Sequence, residues 1–465
     1  MEGGAVSFDK PPRIDASADV VVIGGGACGL TAALRAAEAG ADVLVLERDA
    51  SPHGSTSMSS GFVPAPATRF QRAAGIDDDS PELFRADILA KSHGASNERL
   101  AGLASRTIGP ALEWLAERHG LEWTVLTDFL YPGHSRCRMH AVPEKTGEAL
   151  LARMLSAATR AEVPVVCDAR AERLFVDGDG AVIAVEVSRP DGAPEIVGCR
   201  ALVLACNGYG GNPALVSRHI PEIAGGLYYG HAGNTGDALS WGEALGAETA
   251  HLSGYQGHGS LAHPHGILIS WALMTKGAVQ VNAEGRRFSD ESGGYSEQAV
   301  HVLGQPGGVA WNIYDGRIHD FAQSFPDYRE AVRAGAIVHG ATVAELAAAT
   351  GLPAEAVQRT LDEIETYRVG GSDPLGRDFT GLPGLAPPYC AVKVTGALFH
   401  TQGGLMIDDD ARVLRPDDRL FANLFAGGGA ACGVSGPDVS GYLSGNGLLT
   451  AIAFGFIAGA SAARV

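Results

Sequence analysis

The chain has 465 residues, enough for two or three domains, and its 46% hydrophobic and 19% charged residues describe an ordinary globular protein with ample core. A formal net charge of −18 leaves no broad basic face to offset phosphate repulsion, which argues against nucleic-acid or anionic-membrane partners. The seven cysteines (Cys28, Cys137, Cys167, Cys199, Cys206, Cys390 and Cys432) are odd in number, scattered and free of any CxxC or CxxCH, which suits reduced cytosolic thiols and speaks against a disulfide framework or c-type haem.

The first fifteen residues are polar, contain two prolines and offer no signal-peptide core, so a cytoplasmic protein is expected. Residues 20–47 then read as a buried strand, a glycine turn, a helix and a second strand ending in Glu47. Gly24, Gly26 and Gly29 fill the GxGxxG spacing: a sharp turn, close backbone approach to a pyrophosphate, and close helix–strand packing. The helix N-terminus offers free N–H groups to phosphates, and Glu47, 18 residues past Gly29, suits the ribose hydroxyls of a dinucleotide. A small-residue loop, His53 to Phe62, suits close cofactor approach, and helical patterning dominates to about Arg160. Val163–Cys167, Ala171–Val176 and Ala181–Val187 read as strands, with Asp177-Gly-Asp-Gly180 as a hairpin signal, and a buried strand 201–205 runs into the glycine-rich loop Cys206–Asn212. Thr342-Val-Ala-Glu345 predicts a capping box. Pro353 predicts the start of a helix whose core face is Val357, Leu361 and Ile364, and 370–388 predicts a loop. Leu448–Ala463 is too short and too rich in Gly and Ala for a membrane span and predicts a buried helix.

Over nearly its whole length the chain resembles the flavoprotein superfamily of fumarate reductases and 3-ketosteroid dehydrogenases. Five patterns carry the resemblance in order: the fingerprint Gly24–Glu47; Gly133-His-Ser with Arg138 and His140; Gly233-Asn-Thr-Gly-Asp237; Val281–Glu291; and His400-Thr-Gln-Gly-Gly404 leading to Gly445-Asn-Gly447. The resemblance implies an α/β fold. A Rossmann-like FAD-binding domain is built from both chain ends (15–251 and 383–465), with an inserted α+β cap over 252–382. It implies non-covalent FAD, because Gly54 stands where a related branch carries a flavin-linked histidine, with His53 one residue away. The cofactor-binding residues it implies are Gly24, Gly26, Gly29, Glu47, Arg48, Ser55, Thr56, Ser57, Gly61, Ala171, Asn207, Gly208, Asp237, Gly428, Asn446, Leu448 and Leu449; at Gly428 relatives often carry an acid. No second GxGxxG serves a nicotinamide, so electrons are expected to pass to an external acceptor: a quinone, dye, oxygen or redox protein.

The same resemblance implies catalytic positions. Fumarate reductases use two histidines, matched by His258 and His400, and two arginines, whose places hold Tyr295 and Tyr442. An arginine pair clamps two carboxylates and stays protonated, whereas phenols donate to a carbonyl oxygen and exchange a proton. The ketosteroid-dehydrogenating branch is similar in having tyrosines there. The expected reaction is α,β-dehydrogenation of a cyclic ketone, ketosteroid or keto acid. Tyr295 is the expected proton acceptor and Tyr442 polarises the carbonyl, while hydride goes to flavin N5. His258 and His400 either line the pocket, holding an acid group, or are satisfied structural residues. Arg138 and His140 either touch substrate or fix a loop, and Arg286, Arg287, Asp290 and Glu291 read as a salt-bridged turn. His263 and His265 lack partners at metal-ligand spacing, so no metal is expected. The alternatives are a reductase of an enone or unsaturated acid and a non-catalytic FAD-binding protein.

Overall fold

Val20, Val21 and Val22 are completely buried, and they form the middle of a parallel ladder. In this computed structural model, which describes residues 5–190, 192–417 and 419–465, the strand Ala16–Ile23 lies between Val43–Leu46 and Glu195–Leu204. Glu195–Leu204 pairs on its far side with the parallel strand Leu420–Ala426 and, through its first half, with the antiparallel strand Val182–Ser188. The expected hairpin forms between Arg170–Val176 and Val182–Ser188.

Register makes this sheet a platform. Ile23 stands opposite both Leu46 and Leu204, and Leu204 stands opposite Ala426. The segments opening at Gly24, Glu47, Ala205 and Gly427 therefore leave one carboxyl edge together, where ligands of open parallel sheets bind. The fingerprint helix Ala27–Glu38 and the carboxy-terminal helix Asn446–Ala462 pack against each other, joining the two chain ends. At Gly29 any side chain would collide with the carbonyl oxygen of Gly24, so glycine is required there.

The chain divides into two units: Met1–Ile220 with Gly230–Tyr255 and His400–Val465, and Pro221–Tyr229 with Gln256–Phe399. The expected inserted region ran from 252 to 382. The second unit takes in the residues up to Phe399 because the strand Tyr389–Thr401 pairs along most of its length with Val309–Asp315 and Ile337–Gly340. Leu227–Tyr228 joins the same strand in parallel, which brings in Pro221–Tyr229. The second unit is a mixed sheet with helices, including Val343–Thr350 and Ala354–Arg368, whose Val357, Leu361 and Ile364 are buried. Half of the expected capping box forms: Thr342 accepts from Glu345 N, while the Glu345 carboxylate takes the N–H of Ala341 instead of Thr342.

Arg138 and His140 fix structure. The Arg138 guanidinium is fully buried between Asp79 (2.7 Å) and Asp87 (2.5 Å), and His140 bridges Thr68 Oγ1 and the Arg138 carbonyl. The 286–291 turn is likewise ion-paired, Glu291 meeting Arg287 at 2.7 Å and Arg377 at 3.2 Å, while Arg286 pairs with Glu284. Removing one member of a buried ion pair strands the others. Arg138→Leu is expected to cost about 3–5 kcal/mol in denaturant unfolding; a loss below about 1 kcal/mol would show that the aspartates find other partners.

Candidate active site

The expected cofactor residues gather in the first unit around the carboxyl edge of the parallel strands. Gly26 precedes the fingerprint helix without lending it a side-chain cap, so the helix start is left to other partners. One is Thr56, whose Oγ1 accepts from Ala27 N at 3.0 Å. Glu47, at the end of its strand, accepts from Gly25 N (2.9 Å) and Asp49 N (3.0 Å), which holds the carboxylate beside the glycine turn. Arg48 donates to the Gly233 carbonyl at 2.5 Å. Ser55, Thr56 and Ser57 lie on the short helix Ser55–Met58, and Gly61 follows it. Ser55 Oγ accepts from Asn207 Nδ2 (2.7 Å) and Asn234 Nδ2 (3.1 Å), tying two glycine-rich loops together. Gly208 packs on Thr401, Asp237 opens the helix Asp237–Leu245, and Ala171 is buried on its strand. Gly428 lies on a single 3₁₀ turn against Cys28 of the fingerprint helix.

At the start of the carboxy-terminal helix, Asn446 is wholly buried, followed by half-buried Leu448 and buried Leu449. Its Oδ1 is a buried acceptor with no partner, and Gly445 gives the helix no side-chain cap. An orphaned acceptor beside an uncapped helix start, in the unit that carries the dinucleotide fingerprint, fits FAD, whose diphosphate and ring supply the charge and donors such groups need.

The four expected catalytic residues divide evenly between the units. In the first, His400 ends the long strand and meets the Tyr442 ring edge-on, with centroids 5.5 Å apart. Tyr442 follows the 3₁₀ turn Val439–Gly441, whose start is capped by Asp438. Two residues on, the Ser444 carbonyl accepts from the buried His134 Nε2 at 3.0 Å, which pins the backbone between Tyr442 and Gly445.

In the second unit, His258 lies in the strand Tyr255–Ala262, sandwiched between Tyr295 (4.8 Å, 23°) and Phe399 (5.2 Å, 22°), with Trp271 against it edge-on. Tyr295 is the first residue of the helix Tyr295–Leu303. That helix sits directly on the strand because Gly257 has no Cβ, where one would meet Ser296 O at 2.6 Å. Gly257 N donates to Ser296 Oγ (2.9 Å), fixing the two elements beside each other. A buried amide network continues the tie, Gln298 to Gln280, Gln280 to Asn312 and Asn312 to Ser260, each at 2.8 Å.

Burial decides the charge of both histidines. Desolvation lowers the His258 pKa to about 3 and the His400 pKa to about 4, so both rings are neutral above pH 5. Each Nδ1 also meets an N–H donor: Ser260 N at 3.1 Å for His258 and Gln402 Nε2 at 3.0 Å for His400. At His258 the remaining proton then sits on Nε2, so that ring presents an N–H donor; at His400 the Thr401 carbonyl also lies 3.4 Å from Nδ1.

Two features escaped the sequence reading. Tyr131 has its pKa raised by burial and, secondarily, by the nearby Tyr442 hydroxyl; an aromatic in the Pro-Gly turn before the Gly133-His-Ser pattern was the available signal. Gln402, Ser435 and Asn446 form a hydrogen-bonded chain to His400 that no spacing rule encodes.

Comparison with known proteins follows the same lines. A family model described as FAD binding domain matches residues 19–448. The chain is 28% identical over 449 residues to the probable fumarate reductase Ifc3 of Shewanella frigidimarina (strain NCIMB 400), covering 96% of this chain and 74% of that protein. It is also 28% identical over 562 residues to a 4-oxocyclohexanecarboxylate 2-dehydrogenase of Sinomonas cyclohexanicum, covering 96% and 95%. The crystal structure of 3-ketosteroid-Δ4-(5α)-dehydrogenase from Rhodococcus jostii RHA1 in complex with 4-androstene-3,17-dione matches with a TM-score of 0.79 and 26% identity, covering 99% of this chain and all of that one. Among the described residues no group of His, Cys, Asp and Glu can hold a metal ion, and no helix is long and apolar enough to cross a membrane.

The buried histidines also make stability acid-sensitive. His134, His140 and His400 are lowered to about 4 and His258 to about 3, all by desolvation first. The unfolded chain binds these protons near pH 6.5 while the native state does not. Stability is therefore complete above about pH 6.5 and falls as pH drops toward 4, by about 1.4 kcal/mol per pH unit for each histidine. Thermal unfolding at pH 7.5 and 5.5 should show a lower Tm at 5.5; an unchanged Tm would mean the rings are protonated in the fold.

Proposed function

The chain belongs to the FAD binding domain family of flavin-dependent oxidoreductases acting on carbon–carbon bonds, and from that premise we propose that it desaturates a cyclic ketone bearing an acid group. The observation that carries this reading is that each candidate phenol is in ring contact with a buried neutral histidine, Tyr442 with His400 and Tyr295 with His258. Guanidinium groups would hold two carboxylates permanently charged-to-charged. Phenols and neutral imidazoles offer hydrogen bonds, which suit a carbonyl, an enolate and at most a lightly held acid group.

In this mechanism Tyr442 donates to the ketone oxygen and stabilises the enolate as the α C–H bond breaks. The proton goes to Tyr295 as its phenolate. FAD, where bound, would supply the two-electron acceptor that the β hydrogen and its electron pair require as the double bond forms between the two carbons. Deprotonating an ordinary tyrosine at pH 7 costs about 4 kcal/mol. Tyr295 opens its helix, and the partial positive charge of a helix N-terminus favours an anion. Its imidazole neighbour supplies no charge, because His258 is neutral at working pH. The Nε2–H donor of one of the two histidines, His258 or His400, would hold the acid group. A relative covered to 95% of its length, whose name specifies an oxocyclohexanecarboxylate, supports the acid-bearing cyclic ketone. FAD would be held non-covalently, and its electrons would pass to an external acceptor. The reverse sense, reduction of an unsaturated acid, is the second reading, favoured by the similarity to fumarate reductases.

Tyr295→Phe and Tyr442→Phe should each lower kcat for desaturation by about 10²–10³-fold with flavin content unchanged. The rate should rise from pH 6 to 9 with no histidine limb. Near-full activity of either variant with flavin bound would refute its assignment. His258→Ala or His400→Ala should raise KM for acidic ketones about tenfold, roughly 1.4 kcal/mol, and for neutral ones far less; equal effects would remove the acid-binding role.

A further inference from the structure

His400 is the end of a buried hydrogen-bonded chain that the chemistry above leaves unused. Asn446 Nδ2 donates to Ser435 Oγ at 3.0 Å, Ser435 Oγ donates to Gln402 Oε1 at 2.7 Å, and Gln402 Nε2 donates to His400 Nδ1 at 3.0 Å. Asn446, Ser435 and Gln402 are all at most 4% exposed. The backbone of Gln402 is clamped as well, its N–H on the Gly254 carbonyl and its carbonyl on Gly433 N, both at 2.8 Å. The side chain therefore has one place to go.

Chemistry sets the direction of the chain. An amide nitrogen only donates and an amide oxygen only accepts. With Gln402 Oε1 taken by the Ser435 hydroxyl, Nε2 faces the imidazole and Nδ1 must be the bare nitrogen. The Thr401 carbonyl also approaches Nδ1, but at 3.4 Å it lies beyond the usual N–H···O range and does not compete with a 3.0 Å contact. Gly447 leaves room for the Nε2 edge of the ring, since a Cβ there would come within 2.9 Å of Nε2 and Cε1. Tyr442 is the titratable group whose ring meets it.

We propose that Gln402 is a positioning residue: held by Ser435 and Asn446, it keeps His400 in the Nε2–H tautomer and so presents a fixed neutral donor to the acid group of the substrate. The inference rests on the reading of His400 as an acid-binding residue, yet its core, control of the imidazole by Gln402, is separable from it. Asn446 also carries the orphaned buried Oδ1 at the expected cofactor site, so one side chain both anchors this chain and keeps a free acceptor.

The test replaces the amide by groups that cannot donate. In Gln402→Glu a carboxylate accepts from Nδ1–H, which reverses the tautomer or stabilises the imidazolium. Histidine ring NMR, with His400→Gln to assign the signal, should show no His400 titration above pH 5 in the parent. In Gln402→Glu its pKa should rise by about 1–3 units or more. KM for an acidic ketone, flat between pH 5.5 and 8 in the parent, should become pH-dependent, about tenfold weaker at pH 8 than at 5.5. Gln402→Met and Ser435→Ala should raise that KM about 3–10-fold at all pH values, with kcat less affected. A His400 signal unmoved by Gln402→Glu, or Gln402→Met and Ser435→Ala both within twofold of the parent, would overturn the proposal. A moved signal with equal KM changes for acidic and neutral ketones would uphold the Gln402 control and instead remove the acid-binding role of His400.

Discussion

Desolvation of two imidazoles, one in each unit, is the constraint on which the chemistry depends. Stacked between Tyr295 and Phe399, His258 is buried, and desolvation disfavours a proton there as it does at His400 beside Tyr442. A buried imidazolium without a carboxylate partner is costly, so both rings stay neutral and act as donors through one nitrogen. Under the proposed function, the tyrosines and histidines act as neutral hydrogen-bonding groups toward a carbonyl whose negative charge appears only during reaction.

The scaffold serves this set by fixing backbone. In the first unit, aligned strand ends send the Gly24, Glu47, Ala205 and Gly427 segments from one sheet edge, and His134 pins the Ser444 carbonyl next to Tyr442. In the second, Gly257 lets the Tyr295 helix lie on the His258 strand, and the Gln298–Gln280–Asn312–Ser260 network holds that contact from behind. Arg287 is ion-paired with Glu291 and Asp373, and Arg138 with Asp79 and Asp87. These ion pairs stabilise the frame.

Much of this was legible in the chain because it is local or periodic. The fingerprint strand, turn, helix and acid lie within 28 residues, and the apolar run Val20–Ile23 could only be a buried strand. The helix after Pro353 followed from its 3.6-residue spacing. Pairings between distant residues were not legible. The strand Tyr389–Thr401 belongs as far as Phe399 to the second unit, through neighbours about fifty to ninety residues earlier, and composition near Pro383 carries no sign of them. Phe399 reaches His258 in the same way. The chain from Asn446 to His400 joins side chains 11 and 33 residues apart along irregular backbone, where no period exists to read.

The account stands or falls on whether the bound flavin is reduced by a ketone or by a dicarboxylate. Anaerobic addition of a cyclic keto acid, and separately of succinate, to the oxidised flavoprotein while following flavin absorbance distinguishes them in one experiment. The neutral donor set predicts bleaching by the keto acid and none by succinate. Bleaching by succinate with the keto acid inert would contradict it.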